Sequence, residues 1–235
     1  MSFIISFSIY FVENCEELSK KLSIPVVYTL QPGNTYHVFS AHDAAKQLLE
    51  FQVRNPETKY IIYQSENILS NFFQDKTYIR LMQQNSIFQY SPMIADTLLR
   101  RYGIPCASYF NWSYPDLSSD VKRDIKVLFF GSMTQKRHEI LHQISQKYPI
   151  TIVTDKFGKD LDEILLRTEW VLNISTYTNN ALETHRINKA IACGCQVLSN
   201  PSCDDVMDKK YKEFIRFSRG RRVQDYVKAL DKFVY

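Results

Sequence analysis

Short apolar runs alternate with helix-period segments along nearly the whole chain, and this alternation restricts the fold more than any other feature. A parallel sheet packed between helices produces such a pattern, because its strands are buried on both faces and each crossover between them is helical. In the first half, residues 3–12, 25–30, 36–40, 60–64 and 86–90 read as strands, with helical segments at 16–21, 43–55, 67–73, 75–84 and 91–102. Ser91-Pro92 opens the last helix as a cap followed by proline, and Gly103-Ile-Pro105 closes it. A second alternation starts near Lys126, with strands at 127–130, 151–153, 170–174, 196–199 and 213–217. Its helices are expected at 135–147, 161–168, 181–193, 204–211 and 223–233.

Between the two runs lies an aromatic, proline-containing stretch at 109–117, followed by a charged one at 118–124. The expected organisation is therefore two Rossmann-like α/β domains, 1–117 and 118–235, facing across a cleft at the carboxyl ends of their strands. The terminal helix is placed to pack back on the first domain.

Six glycines occur in 235 residues, at Gly33, Gly103, Gly131, Gly158, Gly194 and Gly220, and none lies within two residues of another. Neither a dinucleotide fingerprint nor a P-loop can be written with that set, since both need clustered glycines where backbone approaches phosphate. A nucleotide would have to be held by single-glycine turns, helix starts and basic side chains. The charge distribution points to the second half: residues 1–117 carry 9 basic and 10 acidic groups, and 118–235 carry 20 and 15. A net charge of +4 is too mild to imply nucleic acid as a partner.

The cysteines, Cys15, Cys106, Cys193, Cys195 and Cys203, are odd in number and lack framework spacing, which favours a reduced, cytoplasmic chain. Cys193 and Cys195 are spaced too closely for a zinc pair. The apolar start lacks the basic flank of a signal peptide, and no stretch reaches membrane-spanning length. The glycosylation patterns at Asn111 and Asn173 are then coincidental.

The densest polar constellation follows the strand at 170–174. A polar loop from Ser175 feeds a helix on which Glu183, Arg186 and Lys189 recur every third residue, while Leu182, Ile187, Ala190 and Ile191 supply the core face. A carboxylate here can accept ribose or sugar hydroxyls, and the loop amides with Arg186 can receive phosphate. A capped helix with a solvated charged face would show the same periodicity. In the first half, the strand end at Tyr36-His-Val-Phe-Ser-Ala-His-Asp43 presents His42 and Asp43, and Glu66 follows the strand at 60–64 within Gln64-Ser-Glu-Asn67. These three are the catalytic candidates, for acceptor contact and deprotonation of its hydroxyl. Asp43 also suits a plain helix N-cap. His37, His138 and His142 read as structural or surface residues.

Glu183-Thr-His-Arg-Ile-Asn-Lys-Ala-Ile-Ala-Cys-Gly-Cys-Gln-Val-Leu-Ser199 resembles the donor-binding segment of group 1-type GT-B glycosyltransferases, including small viral and bacterial members. Val127-Leu-Phe-Phe-Gly-Ser-Met-Thr-Gln-Lys-Arg137 is similar to the opening of that family's nucleotide-sugar domain. Tyr60-Ile-Ile-Tyr-Gln-Ser-Glu66 and Phe88-Gln-Tyr-Ser-Pro92 are similar to segments of its acceptor-side domain. One departure is Lys189, where the family commonly carries a second glutamate.

The resemblance implies a hexosyl- or pentosyltransferase that moves a sugar from a UDP- or GDP-sugar to a hydroxyl acceptor such as a glycan. The first domain would take the acceptor and the second the donor. Gly131, Ser132, Lys136, Arg137, Thr176, Asn179, Asn180, Glu183, Thr184, His185 and Arg186 are the donor-binding candidates. Arg137 would bridge the diphosphate oxygens and stabilise the leaving nucleotide. No metal cofactor is expected, since basic groups and helix starts can neutralise the diphosphate without a divalent ion. The alternatives are a nucleotide-sugar epimerase or hydrolase on the same fold, or a catalytically silent module that binds a polyanion or a protein.

Overall fold

A computed structural model describes residues 1–118, 120–177 and 180–235. It divides into two compact units, Met1–Ser113 and Tyr114–Tyr235. The boundary falls four residues before the one drawn from the sequence, and side-chain packing explains it. Trp112 stacks on Phe11 of the first unit at 5.3 Å. Tyr114 meets the His185 ring of the second at 5.6 Å, and the Leu117 N–H donates to the Ala192 carbonyl.

The first unit runs β1 (Ser2–Ser6), α1 (Val12–Leu22), β2 (Thr35–Phe39), α2 (Ala45–Arg54), β3 (Lys59–Gln64), α3 (Lys76–Gln83), β4 (Ser86–Gln89), α4 (Pro92–Tyr102) and β5 (Cys106–Tyr109). All five strands are parallel, in the order β1-β2-β3-β4-β5. An isolated bridge joins Val26 to Ile4 on the edge of β1 away from β2. The chain thus leaves β1 first to one side and then to the other, which makes the β1/β2 boundary a switch point where carboxyl ends open a crevice.

Several sequence expectations are corrected here. The run 3–12 is not one strand: β1 ends at Ser6, and Ile9–Phe11 form a 3₁₀ turn capped by the Ser8 side chain, which accepts from the Tyr10 N–H. Serine hydroxyls compete for backbone partners there, so apolar content alone overran the strand. Residues 25–30 contribute only the Val26 bridge, and the 67–73 helix shrinks to a 3₁₀ turn at Asn71–Gln74. Edge strand β5 was not read from the sequence at all.

The second unit runs β6 (Ile125–Phe130), α5 (Gln135–Ser145), β7 (Thr151–Val153), α6 (Gly158–Leu166), β8 (Thr168–Asn173), α7 (Thr184–Ala192), β9 (Gln196–Ser199), α8 (Asp205–Tyr211), β10 (Ile215–Phe217) and α9 (Val223–Phe233). Its sheet is also parallel, ordered β10-β9-β8-β6-β7. Alternate residues of β6 serve two cores. Val127 and Phe129 pack with Ile140, Leu141 and Ile144 of α5 and Tyr226 and Leu230 of α9. Leu128 and Phe130 pack with Leu161 and Leu165 of α6 and Ile187 of α7. The terminal helix therefore fills a core of its own unit. The switch point lies between β6 and β8, since the chain passes from β6 to β7 on one side and then to β8 on the other.

Candidate functional site

Each sheet gathers candidate residues at its carboxyl edge. In the first unit, β2 ends at Phe39 and the chain turns through Ser40, a buried non-glycine residue at φ 55°. Left-handed backbone at such a residue costs of order 1 kcal/mol and is held only by its surroundings. The turn delivers His42 and Asp43. The helix that follows starts only at Ala45, with Ala44 at the N-cap and no side-chain cap, so Asp43 is not the N-cap that its type suggested. It is left available to the cluster instead.

His42 Nε2 lies 3.5 Å from Asp43 Oδ2 and 3.5 Å from Glu66 Oε1. Glu66 is placed by β3: Gln64 at the strand end donates to the Glu66 carbonyl at 2.8 Å, and buried Gln89 of β4 holds Gln64 at 2.6 Å. Phe72 covers the imidazole, ring to ring at 4.3 Å. Burial pushes the Glu66 carboxyl up to about 7, with Asp43 adding to the rise. The same burial lowers His42, against the pull of Asp43. The pair therefore sets a raised carboxyl beside an imidazole biased toward its neutral form, and a carboxyl near 7 suits a general base at neutral pH. Ser40 and Ser65, at the ends of β2 and β3, each bury a hydroxyl without a partner among the described residues.

In the second unit, Gly131 follows β6 at φ 119°, and the Thr134 side chain caps α5 by accepting from the Arg137 N–H. Arg137 is buried, and its guanidinium has five N–H donors. Nε donates to the Ile174 carbonyl at 2.8 Å. One terminal nitrogen donates to the Ser132 carbonyl at 2.9 Å and its hydroxyl at 3.1 Å. The other takes both oxygens of Glu183, at 2.9 and 2.8 Å.

Glu183 also accepts from Asn180 at 3.3 Å and from the Thr176 backbone N–H at 3.4 Å, and it pairs with Arg186. Burial alone would raise its carboxyl, but Arg186 and Arg137 outweigh that and hold it below the ordinary carboxylate range. Arg186 in turn donates to Asn173 Oδ1 at 2.8 Å and lies over Phe129 and Phe130. A methyl group at Gly131 would stand 2.6 Å from Arg186 Nη2. Gly131→Ala is accordingly expected to cost at least about 1 kcal/mol in urea unfolding, from strained backbone and a displaced arginine together; an unchanged midpoint would show that Arg186 moves freely.

The other donor candidates are spread around this triad. Lys136 is half-buried on the first turn of α5; burial lowers its ammonium, and the nearby Arg221 and Arg137 add to the effect. Thr184 is buried at the start of α7, with its hydroxyl unpartnered among the described residues. His185 packs against Tyr114. Asn179 lies outside the described residues.

Lys189 forms a buried ion pair with Asp162 of α6, with its ammonium 5.1 Å above the Tyr114 ring. The position where the sequence resemblance implies an acid is thus a cation matched by an acid on the neighbouring helix. Sequence reasoning missed this pair, and it missed the brace at the β9 end, where Asn200 Oδ1 accepts from the Ser175 N–H and the Tyr226 hydroxyl. Among the described residues no cluster of three or more metal-ligating side chains forms, and no helix is long and apolar enough to cross a membrane.

The two parallel five-stranded sheets are those of the GT-B fold. The structure is similar over 99% of this chain, and 89% of the other, to Anabaena HepE in complex with UDP and glucose, at TM-score 0.67 and 11% identity. An α-glucosyltransferase in complex with UDP and DNA matches at TM-score 0.57 and 10% identity, covering 86% of this chain and 80% of that one. A Listeria monocytogenes protein assigned as a UDP-N-acetylglucosamine 2-epimerase matches at TM-score 0.54 and 10% identity, over 98% and 87%. No family model and no curated protein sequence matches the chain. At these identities the likeness establishes the GT-B fold, and the reaction has to be argued from the residues.

Proposed function

We propose that the protein is a glycosyltransferase that moves a sugar from a nucleoside diphosphate donor, most simply a UDP-sugar, to a hydroxyl acceptor. The observation that carries this reading is the cation set at the β6/β8 switch point: Lys136 and Arg186 beside a carboxylate, Glu183, that two arginines hold ionised. Cations in a partly desolvated crevice neutralise a diphosphate and stabilise charge on the leaving nucleotide without a divalent ion. UDP in the HepE and α-glucosyltransferase complexes supports the choice of base. In the first unit Glu66, with His42 and Asp43 around it, would take the proton of the acceptor hydroxyl. The acceptor is proposed to be a glycan; a hydroxyl on DNA is the alternative that the α-glucosyltransferase complex favours. An odd number of cysteines without framework spacing suits a reducing compartment such as the cytoplasm.

The expected result is a rise in Tm with UDP in the presence of EDTA. A ligand at a hundred times its Kd stabilises by about 2.7 kcal/mol, which is several degrees for a chain of this size. No shift with UDP, GDP or ADP at millimolar concentration would remove the donor site. The epimerase neighbour supports a second reading, in which the protein interconverts nucleotide-sugars with no acceptor present. Chromatography of a UDP-sugar incubated with the protein alone separates the two.

A further inference from the structure

Counting hydrogen-bond donors around the second sheet separates residues that hold the site together from residues that have capacity left for a ligand. Arg137 spends all five of its N–H groups on Ile174, Ser132 and Glu183. Arg221 stands differently. It follows β10 within Ser218-Arg-Gly-Arg-Arg222, where the Ser218 hydroxyl donates to the Gly220 carbonyl and shapes the turn. Its Nε donates to the Pro201 carbonyl at 3.0 Å and one terminal N–H to Cys203 Sγ at 3.1 Å. Three of its five donors are then unspent among the described residues.

The anchoring places the group near the triad. The Cys203 N–H donates to the Asn180 carbonyl at 2.9 Å, and the Asn180 amide donates to Glu183. Lys136 feels both Arg221 and Arg137 as like charges, and Tyr226 feels Arg221 together with Arg137, Arg186 and Glu183. Three cations with unspent donors among the described residues, Lys136, Arg186 and Arg221, are thus drawn to one end of the sheet beside Glu183, which its arginines already neutralise, while Asp225 next to Gly220 is engaged by Arg222. Like charges converging in a partly desolvated place are unfavourable unless an anion joins them.

We propose that Arg221 is a diphosphate-binding residue, reaching the anion from the β9/β10 side of the sheet, and that Arg137 is a positioning residue that acts through Glu183. This assignment rests on the reading of the second unit as a nucleoside diphosphate site. A guanidinium fixed at Nε and presenting its outer edge can bind two phosphoryl oxygens at once, which a lysine cannot do. Pro201 and Cys203 hold Arg221 in that orientation before the ligand arrives, so little side-chain entropy is lost on binding.

The test is calorimetric titration of the full chain with UDP, UMP and uridine. Arg221→Ala is expected to weaken UDP binding by about tenfold or more and UMP by less, with uridine unaffected, as for loss of a charge-assisted phosphate contact. Arg221→Lys should restore part of the loss, and Arg219→Ala, an exposed change on the same turn, should bind all three ligands as the wild type does. Arg221→Gln, which keeps a donor for Pro201, serves if the alanine variant unfolds, and it should show the same diphosphate-selective loss. Equal weakening of all three ligands would mean that Arg221 only shapes the turn and would overturn the assignment. So would unchanged UDP affinity in a variant of a wild type that binds UDP. A wild type that binds no nucleoside diphosphate would instead overturn the donor-site reading, and this assignment with it.

Discussion

Replacement of Glu66 by glutamine is expected to lower the rate of sugar transfer by about 10²–10⁴-fold, the usual worth of a general base, while UDP affinity stays within about twofold. Glutamine keeps the volume and the hydrogen-bonding reach of the side chain but cannot accept a proton. Burial and Asp43 hold the Glu66 carboxyl at about 7, so in the wild type kcat/KM should climb as pH rises through neutrality and the carboxylate forms. Because His42 lies 3.5 Å away, the measured inflection belongs to the pair. Stability should move in the opposite direction. A carboxyl whose pKa is raised in the folded state stabilises fully below its unfolded value near 4.5, and that contribution is lost as pH rises through about 7. Thermal melts of the wild type should therefore fall across that window, and those of Glu66→Gln should be flatter. Full activity in the variant, with an unshifted pH profile, would remove Glu66 from the reaction.

The alternation of apolar runs and helices was enough to read two parallel α/β units, because burial on both sheet faces writes itself into local sequence. Strand β9 and helix α9 match the expected ranges residue for residue, each being a short apolar run or an amphipathic segment with clear ends. Elements decided by edges or by competing side chains were less legible. Strand β5 is four residues, Cys106-Ala-Ser-Tyr109, at the sheet edge and partly solvated, so it lacks an apolar run. The start of α1 was hidden by Ile9, Tyr10 and Val12, which read as strand yet are largely exposed.

The site shows the same division. Gly131 and Gly194 were visible as turns at element ends, but the sequence does not show that arginines lie against them; Arg123 Nη2 would be 2.7 Å from a Cβ at Gly194. Likewise Lys189 was legible as a departure, whereas its partner Asp162 sits on another helix. Pairings of this kind are tertiary. The Arg137–Glu183 contact spans 46 positions and leaves no trace in periodicity, so local reasoning could not show that the two residues engage each other.

That pairing makes Arg137 a stability determinant. Arg137→Ala is expected to destabilise the second unit by about 3 kcal/mol, the lower end of the range for breaking a buried ion pair by removing one partner. The lower end applies because Arg186 remains on Glu183 and keeps the carboxylate from being wholly uncompensated. Besides the charge, the change leaves the Ile174 carbonyl and Ser132 without their shared donor, which loosens the β8 end from the loop after β6. Arg137→Met should recover part of the loss, since it refills the buried volume while Arg186 still neutralises Glu183. Urea unfolding followed by tryptophan fluorescence reads this directly, as Trp170 lies in the same core and Trp112 in the other unit, so the two transitions separate if the units unfold independently. A loss below about 1 kcal/mol, accompanied by a UDP affinity lowered as much as in Arg221→Ala, would assign Arg137 to the phosphates themselves. The opposite pattern, a large loss of stability with a UDP deficit that disappears once the protein is kept folded at low temperature, fits a residue whose work is to hold Glu183.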